Sequence, residues 1–256
     1  MCIRDSLFGQ GSLEYEDAVL RTDSNLAELL QHIDERVGLK NTLVVLSADH
    51  GGVEAPEYAA SRGLPAGRLP LDWIRSGELL NAPLKKRFGR DDLIAGHSHP
   101  YVYLDPVALA DAGLKPAEVE RFVADELVKV DGIRSAYTRS QILAGDVPDT
   151  PLAQQAVSNF HPERSGNVHY IQDQYWFVHS TEEAEKLGVG ALAAIHGSPW
   201  RYDTYVPVMF AGPGVPNARV SRLVSPLDIA PTLSNYMGIK EPSGTTADVL
   251  YEVVEH

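Results

Sequence analysis

An apolar run at residues 42–46, Thr-Leu-Val-Val-Leu, is the feature that most constrains the fold of this chain. A run of this length and character suits a strand that is buried on both faces, as in a parallel sheet. It ends abruptly in the polar and glycine-rich sequence Ser-Ala-Asp-His-Gly-Gly, residues 47–52. Because ligand-binding groups in open α/β sheets collect at the carboxyl ends of strands, residues 47–52 form a candidate site.

Helical and strand patterns alternate along the rest of the chain. Helices are predicted over residues 15–37, from Pro116, and from Asp228 as N-cap, with Gly38 and Gly238 as stop signals. Strands are predicted at residues 101–104, 168–171 and 206–211. Residues 53–96 lack a clear period and are predicted to form a surface excursion. The alternation predicts a layered α/β fold with a mainly parallel central sheet flanked by helices.

Composition limits the classes of function. The 256 residues suffice for one α/β domain. The 35 acidic and 22 basic residues give a net charge of -13, which argues against nucleic acid as a structural partner. No apolar run reaches the length of a membrane span. The single Cys2 excludes an intramolecular disulfide and a cysteine-rich zinc site.

Two short segments contain side chains suited to metal binding. Asp49 and His50 stand side by side where the predicted strand ends, so that a carboxylate and an imidazole can turn toward one divalent ion. Taken alone, an Asp-His pair also occurs by chance. His196 lies on a Gly-Ser-Pro loop just before the strand at residues 206–211, and taken alone it is a loop histidine of unknown purpose. Together the two segments favour a metal site.

Three further sites have open alternatives. His97 and His99 are either a metal pair on an extended chain or part of a surface loop, and the loop is favoured. Asp203 either orients His196 or stabilises a turn. Arg164 either contacts phosphate or is a buried structural arginine paired with a carboxylate, and the structural role is favoured.

Longer motifs connect these segments to a known family. Residues 47–52 (SADHGG), 196–215 (HGSPWRYDTYVPVMFAGPGV), 228–233 (DIAPTL) and 164–168 (RSGNV) together resemble bacterial alkaline phosphatases of the type I phosphodiesterase/nucleotide pyrophosphatase branch. The resemblance covers most of residues 7–256. It implies an alkaline phosphatase-like α/β fold, a small phosphate-ester substrate, and a periplasmic or secreted location.

The resemblance also implies a cofactor of two Zn²⁺ ions. Asp49 and His50 are expected to bind one zinc, together with an upstream aspartate and a threonine or serine nucleophile. His196 is expected to bind the other, with both polar residues of an upstream D-x-x-x-H motif. In such sites zinc activates the nucleophile and clamps phosphate oxygens. We therefore expect the three side chains to converge at one sheet edge, with their tips within about 10 Å.

The start of the chain departs from the family pattern. Counting back from Phe8-Gly9-Gln10, the D-x-x-x-H motif would fall on Cys2 and Ser6. Residues 1–6 are therefore interpreted as a foreign, poorly packed start, and residues 7–256 as the C-terminal part of one domain. The nucleophile is then expected to lie upstream, and the chain as given is expected to be inactive. Two alternatives stay open: a sulfatase or other sister activity on the same fold, and a non-catalytic metal-binding homologue that begins at Met1.

Overall fold

The computed structural model of this chain describes residues 7–70, 78–179 and 192–254. The chain divides into two compact units. The first comprises the described residues of Met1–Tyr15 and Gly52–Thr204, and the second comprises Glu16–Gly51 and the described residues of Tyr205–His256. Helices and strands alternate along the chain, which confirms the predicted α/β class. None of the described helices is both long and apolar enough to cross a lipid bilayer.

Helix α1, Leu13–Arg36, agrees closely with the helix predicted at residues 15–37. The Ser12 hydroxyl accepts a hydrogen bond from the backbone N–H of Tyr15, which satisfies one of the free donors at the start of the helix. Gly38 ends it with a φ of 88°, a conformation that glycine adopts without strain. The apolar stripe of α1 is more exposed than its pattern predicts, because Ala18 is its one buried residue.

Strand β1, Val44–Ser47, follows a 3₁₀ turn at Leu39–Asn41 and pairs antiparallel with β8, Val208–Ala211. A side chain at Gly212 would come within 2.7 Å of the Thr42 carbonyl oxygen, so that only glycine permits this close pairing. The sequence predicts burial of β1 on both faces, and this expectation is wrong for the structure. Leu46 is 43% exposed, and β8 is the one strand that pairs with β1 among the described residues.

Two helices complete the second unit. Helix α9, Ile229–Tyr236, follows a 3₁₀ turn at Pro226–Asp228, and α10 is Tyr251–Val254. Asp228 stands at the predicted N-cap position, but its carboxylate accepts hydrogen bonds from the N–H groups of Ser225 and Asp248 rather than from α9. Gly238, with a φ of 64°, follows the end of α9 as the sequence predicts.

A four-stranded antiparallel sheet forms the centre of the first unit. Its spatial order is β3-β4-β6-β5. The strands are β3 (Ile94–Ser98), β4 (Tyr101–Leu104), β5 (Ile133–Thr138) and β6 (Val168–Gln172). Helix α5, Pro116–Leu127, packs against β5 and β6 and buries Val119, Val123 and Leu127, as its pattern predicts.

The segment at residues 53–96 differs from the predicted surface excursion. It contains α2 (Pro56–Ser61), β2 (Gly67–Pro70) and α3 (Glu78–Phe88), and β2 pairs in parallel with β7 (Trp176–His179). Leu69, Leu80, Leu84 and Leu93 are almost fully buried and belong to the main core. The short elements and their loops conceal the period that a longer helix or strand would display. The remaining helices are α4 (Pro106–Asp111), α6 (Arg139–Ala144), α7 (Pro151–Ser158) and α8 (Arg201–Thr204).

Strand β6 is buried on both faces. Val168 and Tyr170 point into the main core, whereas Ile171 packs on the other side with Ala153 and Ala156 of α7. This alternation follows from the two-residue period of a strand. The sheets therefore combine one parallel pair, β2 with β7, with antiparallel pairs, and the strand with two buried faces is β6.

Candidate metal site

Asp49 and His50 follow β1 directly, as the sequence predicts. Nδ1 of His50 lies 2.6 Å from the Gly51 carbonyl oxygen, and this contact selects the tautomer with the proton on Nδ1. Nε2 of His50 then faces Oδ2 of Asp49 at 3.6 Å, which is too long for a hydrogen bond. Oδ1 of Asp49 accepts a hydrogen bond from the His50 backbone N–H at 3.0 Å. The two side chains thus present electron-pair donors to each other.

The Asp49–His50 pair fits one zinc ion in donor type and spacing. A carboxylate oxygen and an imidazole nitrogen are standard zinc ligands, and two ligands about 2.1 Å from a tetrahedral zinc lie about 3.4 Å apart. The observed separation is 3.6 Å. A metal-bound histidine usually donates its second ring N–H to a carbonyl or carboxylate, and the Gly51 carbonyl stands at such a position beside Nδ1 of His50.

His196 is exposed on the loop that leads into α8. Behind it, the buried carboxylate of Asp203 accepts hydrogen bonds from the N–H and the hydroxyl of Ser198, at 2.7 and 2.5 Å. The indole N–H of Trp200 donates to the carbonyl of Gln172 at the end of β6, at 2.9 Å. The turn-stabilising role considered for Asp203 is therefore observed, and it fixes the loop that carries His196.

The backbone beyond Gly51 contacts the His196 loop. The N–H of Val53 donates to the carbonyl of Ile195 at 3.1 Å, and the N–H of Gly52 donates to that of Tyr202 at 2.9 Å. A side chain at Gly52 would meet the amide of the Gln10 side chain at 2.5 Å, so that Gln10 would have to move to accommodate it. Gly52 and Val53 are thus hydrogen-bonded to residues on either side of the His196 loop.

Tyr202 lies under the same loop. Burial raises the pKa of its hydroxyl to about 12, with a smaller opposing effect of a hydrogen bond to Ser198. Its ring packs against Tyr175, whose φ of 63° is unusual for a residue other than glycine. Tyr202 therefore stays protonated at neutral pH, and its hydroxyl accepts a hydrogen bond from the backbone N–H of Tyr175 at 3.3 Å.

The three predicted ligands lie in different units. Asp49 and His50 belong to the second unit, His196 belongs to the first, and their convergence stays a prediction. Across the described ranges, no group of three or more histidine, cysteine, aspartate or glutamate side chains is arranged to hold a metal. The predictions for Cys2 and Ser6 lie outside the described residues.

His97 and His99 have a role that differs from both alternatives. Nε2 of His97 and Nδ1 of His99 lie 2.8 and 3.0 Å from the hydroxyl of Tyr170, a residue with no exposed surface. Burial, with a smaller effect of His169, lowers the pKa of His99 to about 4. The two rings therefore join β3 and the turn after it to β6 through a buried tyrosine, and they form neither a metal pair nor a free surface loop.

Arg164 is exposed, so the expected buried arginine is wrong. Its neighbour in the same motif, Asn167, has the structural role instead. The Asn167 side chain donates to the buried carboxylate of Glu120 at 2.9 Å and accepts from the N–H of Leu104 at 2.9 Å. An asparagine is suited to this position because it supplies both a donor and an acceptor.

His169 is the residue that sequence reasoning missed. It lies on β6 and is 6% exposed, and a hydrogen bond with the Ala156 backbone partly opposes the effect of burial on its pKa. Burial lowers its pKa to about 4. The available signal was the strand pattern of residues 168–171, in which His169 alternates with core residues and must face a packed layer.

Comparison with known proteins agrees with this fold and these motifs. The family model for type I phosphodiesterase / nucleotide pyrophosphatase matches residues 6–199. Alkaline phosphatase PafA of Elizabethkingia meningoseptica is 31% identical over 96% of this chain and 43% of its own length. A Myroides odoratus protein named calcium-transporting ATPase is 30% identical over 97% of this chain and 43% of its own length.

A solved structure gives the same result. The crystal structure of alkaline phosphatase PafA superimposes with a TM-score of 0.82 and 30% identity, over 96% of this chain and 45% of that chain. The chain belongs to the type I phosphodiesterase / nucleotide pyrophosphatase family and has the alkaline phosphatase-like fold. It spans less than half the length of these relatives.

Proposed function

We propose that this chain is the C-terminal part of a zinc-dependent phosphate-ester hydrolase. Asp49 and His50 bind one zinc ion and His196 binds a second. The observation that carries the proposal is the pairing of Asp49 and His50, whose facing donor atoms are 3.6 Å apart. A carboxylate oxygen and an imidazole nitrogen at that distance are spaced as two ligands of one zinc ion would be.

Chain connectivity supports a common site for the two motifs. Gly52 and Val53 are hydrogen-bonded to Tyr202 and Ile195, on either side of the His196 loop. An extended chain spans at most about 3.6 Å per residue, so His50 is within about 11 Å of Val53 along the backbone. The convergence of Asp49, His50 and His196 is therefore compatible with the backbone that joins them.

The residues around the ligands have positioning roles. The hydrogen bonds of Asp203 with Ser198 and of Trp200 with Gln172 stabilise the backbone of the loop that carries His196. The Gly51 carbonyl accepts a hydrogen bond from Nδ1 of His50 and so orients the ring of this proposed ligand. Bound zinc would supply Lewis-acid stabilisation of the phosphate and an activated oxygen nucleophile.

A zinc site needs at least three protein ligands. This chain offers two for the first zinc, Asp49 and His50, and one for the second, His196. We infer that the other ligands and the threonine or serine nucleophile come from the part of the relatives that this chain does not span. The substrate is a small phosphate ester. From the family resemblance we propose a periplasmic or secreted location. We also propose that the choice between monoester and diester depends on groups beyond this chain.

Zinc-dependent hydrolysis of an aryl phosphate tests the proposal. The 256-residue chain with excess zinc should show no turnover above a metal-only control. A version extended at its N-terminus with the corresponding segment of a relative should hydrolyse the ester. In that version His196→Ala should reduce the rate by more than the roughly 10–100-fold that loss of an outer partner costs.

A matched control separates ligand loss from general damage. His161 is another partly exposed loop histidine of the same unit, and His161→Ala should leave the rate within about twofold. Robust zinc-dependent turnover by the 256-residue chain alone would contradict the proposal, because it requires a nucleophile within this sequence. Equal loss in both alanine variants would also contradict it.

A further inference from the structure

The turn between β6 and β7 contains a tyrosine in a strained backbone conformation. Tyr175 has a φ of 63°, and among the described parts of the chain it is the one residue other than glycine with a positive φ. A bulky side chain is disfavoured in this left-handed region, where glycine is the usual residue. Such strain persists only where the surroundings enforce it, and it is frequent beside functional sites. The turn alone therefore does not explain why a tyrosine stands at this position.

Tyr175 makes two contacts with Tyr202, which lies in α8. The rings of the two tyrosines pack with their centroids 5.5 Å apart and an angle of 36° between their planes. The backbone N–H of Tyr175 donates a hydrogen bond to the Tyr202 hydroxyl at 3.3 Å. In the left-handed conformation both the ring and the N–H of Tyr175 thus meet the same partner. Tyr202 is held both at its ring and at its hydroxyl.

Tyr202 in turn contacts the His196 loop and the chain beside it. A hydrogen bond with the Ser198 side chain partly opposes the rise in the pKa of Tyr202, so its hydroxyl lies next to a residue of that loop. The backbone carbonyl of Tyr202 accepts a hydrogen bond from the N–H of Gly52 at 2.9 Å. A series of contacts therefore connects Tyr175, through Tyr202, to the loop that carries His196.

We infer that Tyr175 and Tyr202 are positioning residues that set the orientation of the His196 loop. All three residues belong to the first unit. The Tyr175 ring stabilises Tyr202 in one place, and Tyr202 stabilises the backbone around His196. The consequence for zinc binding rests on the proposed function, whereas the order of the loop in the metal-free chain does not depend on it.

Hydrogen exchange followed by NMR on the metal-free 256-residue chain tests the order of the loop. The N–H groups of Gly52 and Val53 donate to carbonyls on either side of the loop, at 2.9 and 3.1 Å, and therefore report on it. Tyr175→Gly removes the ring and keeps the turn, because glycine adopts a positive φ without strain. It should speed exchange of both N–H groups by at least about fivefold, through easier local opening.

Matched variants separate positioning from general stability. Tyr175→Phe keeps the ring, so exchange at the loop should stay within about twofold of the wild type. Tyr202→Phe should speed exchange at the loop, because the N–H of Tyr175 loses its acceptor. Tyr103→Phe is its control, since it also removes a tyrosine hydroxyl, but one that donates to the Arg164 carbonyl. The buried N–H of Tyr170, which donates to a carbonyl in the core sheet, should exchange no faster than in the wild type in any variant.

The N-terminally extended version tests the consequence for zinc. In that version Tyr175→Gly should raise the zinc concentration for half-maximal hydrolysis of the aryl phosphate by about tenfold. This is the lower end of the effects of groups that support a metal ligand, roughly 10–100-fold. Tyr175→Phe should keep the zinc requirement within about twofold of the wild type. A tyrosine that only packs in the turn would not change the zinc requirement.

The outcomes separate this inference from the proposed function. Unchanged exchange at Gly52 and Val53 in Tyr175→Gly would overturn the inference, as would an equal increase at Tyr170, because the ring would then stabilise the whole unit. If the extended wild type fails to hydrolyse the ester, the proposed function fails and the exchange data alone decide the role of Tyr175. If it hydrolyses the ester and Tyr175→Gly leaves its zinc requirement unchanged, the inference fails and the proposed function stands.

Discussion

The burial of strands β1 and β6 is the reverse of what their compositions suggest. β1 reads Val-Val-Leu-Ser and has the apolar character of a strand buried on both faces, but Leu46 is 43% exposed. β6 reads Val-His-Tyr-Ile-Gln and contains three residues with polar groups, yet all five of its residues are buried. Composition therefore indicates what a strand can bury, whereas neighbouring elements decide what it does bury.

The neighbours of the two strands explain the difference. β6 is hydrogen-bonded to β4 and β5, faces the main core with Val168 and Tyr170, and is covered by α7 on the other side. Its polar groups are held by partners, such as the two histidines on the Tyr170 hydroxyl. β1 has one described strand neighbour.

Truncation of one apolar side chain in each strand gives the largest expected difference. Ile171 is 2% exposed, so Ile171→Ala should lower the free energy of unfolding by about 3 kcal/mol through lost burial and a cavity. Leu46→Ala should cost about 1 kcal/mol or less, because much of that side chain already contacts water. Urea unfolding followed by circular dichroism measures both. Equal costs would show that β1 is buried as deeply as β6.

A substitution of Asn167, just before β6, should have a smaller effect on the free energy of unfolding, and this effect is electrostatic in origin. Asn167→Asp replaces a donor to the buried Glu120 carboxylate with a second negative charge, and should cost about 2 kcal/mol. Asn217→Asp, on an exposed loop, is the matched control and should change stability by less than about 0.5 kcal/mol. The same urea experiment applies. If Asn167→Asp left the free energy of unfolding unchanged, Glu120 would have to be less buried than observed.

The pH dependence of stability gives the smallest effect and again concerns β6. Burial holds the pKa of His169 at about 4, whereas an unfolded histidine has a pKa near 6.5, so the unfolded chain binds the extra proton between these pH values. The contribution of neutral, buried His169 to the free energy of unfolding is complete above pH 6.5 and is lost as the pH falls toward 4. Between pH 7 and pH 5 the wild type should lose about 1–2 kcal/mol more than His169→Gln.

A control for this titration is available in α1. His32 is exposed, and His32→Gln should retain the pH dependence of the wild type. If His169→Gln and the wild type lost stability in parallel, the His169 ring would have to be reached by solvent. That result would weaken the contrast between β6 and β1.

The sequence predicted most of the regular elements but not their burial. The helix at Leu13–Arg36, the helix at Pro116–Leu127 and the strand at Tyr101–Leu104 follow from local periods and stop signals. Such signals are local, and they do not report which layer covers a face. This is why the exposure of β1 and the buried core within residues 53–96 were not predicted.

The candidate site was predictable in residue type but not in arrangement. Asp49, His50 and His196 were identified from an Asp-His pair, a Gly-Ser-Pro loop and a family resemblance. The contact of Asp203 with Ser198 and the tautomer imposed by Gly51 depend on the conformation of short loops. His169 was missed because its burial arises from contacts between β6 and α7, which are distant in sequence.

Crystals of the N-terminally extended version, soaked with zinc and with anomalous scattering recorded at the zinc edge, test the central claim most directly. We predict one zinc between Oδ2 of Asp49 and Nε2 of His50, at about 2.0–2.2 Å from each, and a second zinc on His196. His50→Ala should remove the first peak and keep the second. Zinc bound at neither position under saturating metal, or bound only at other histidines such as His97 and His99, would contradict the account.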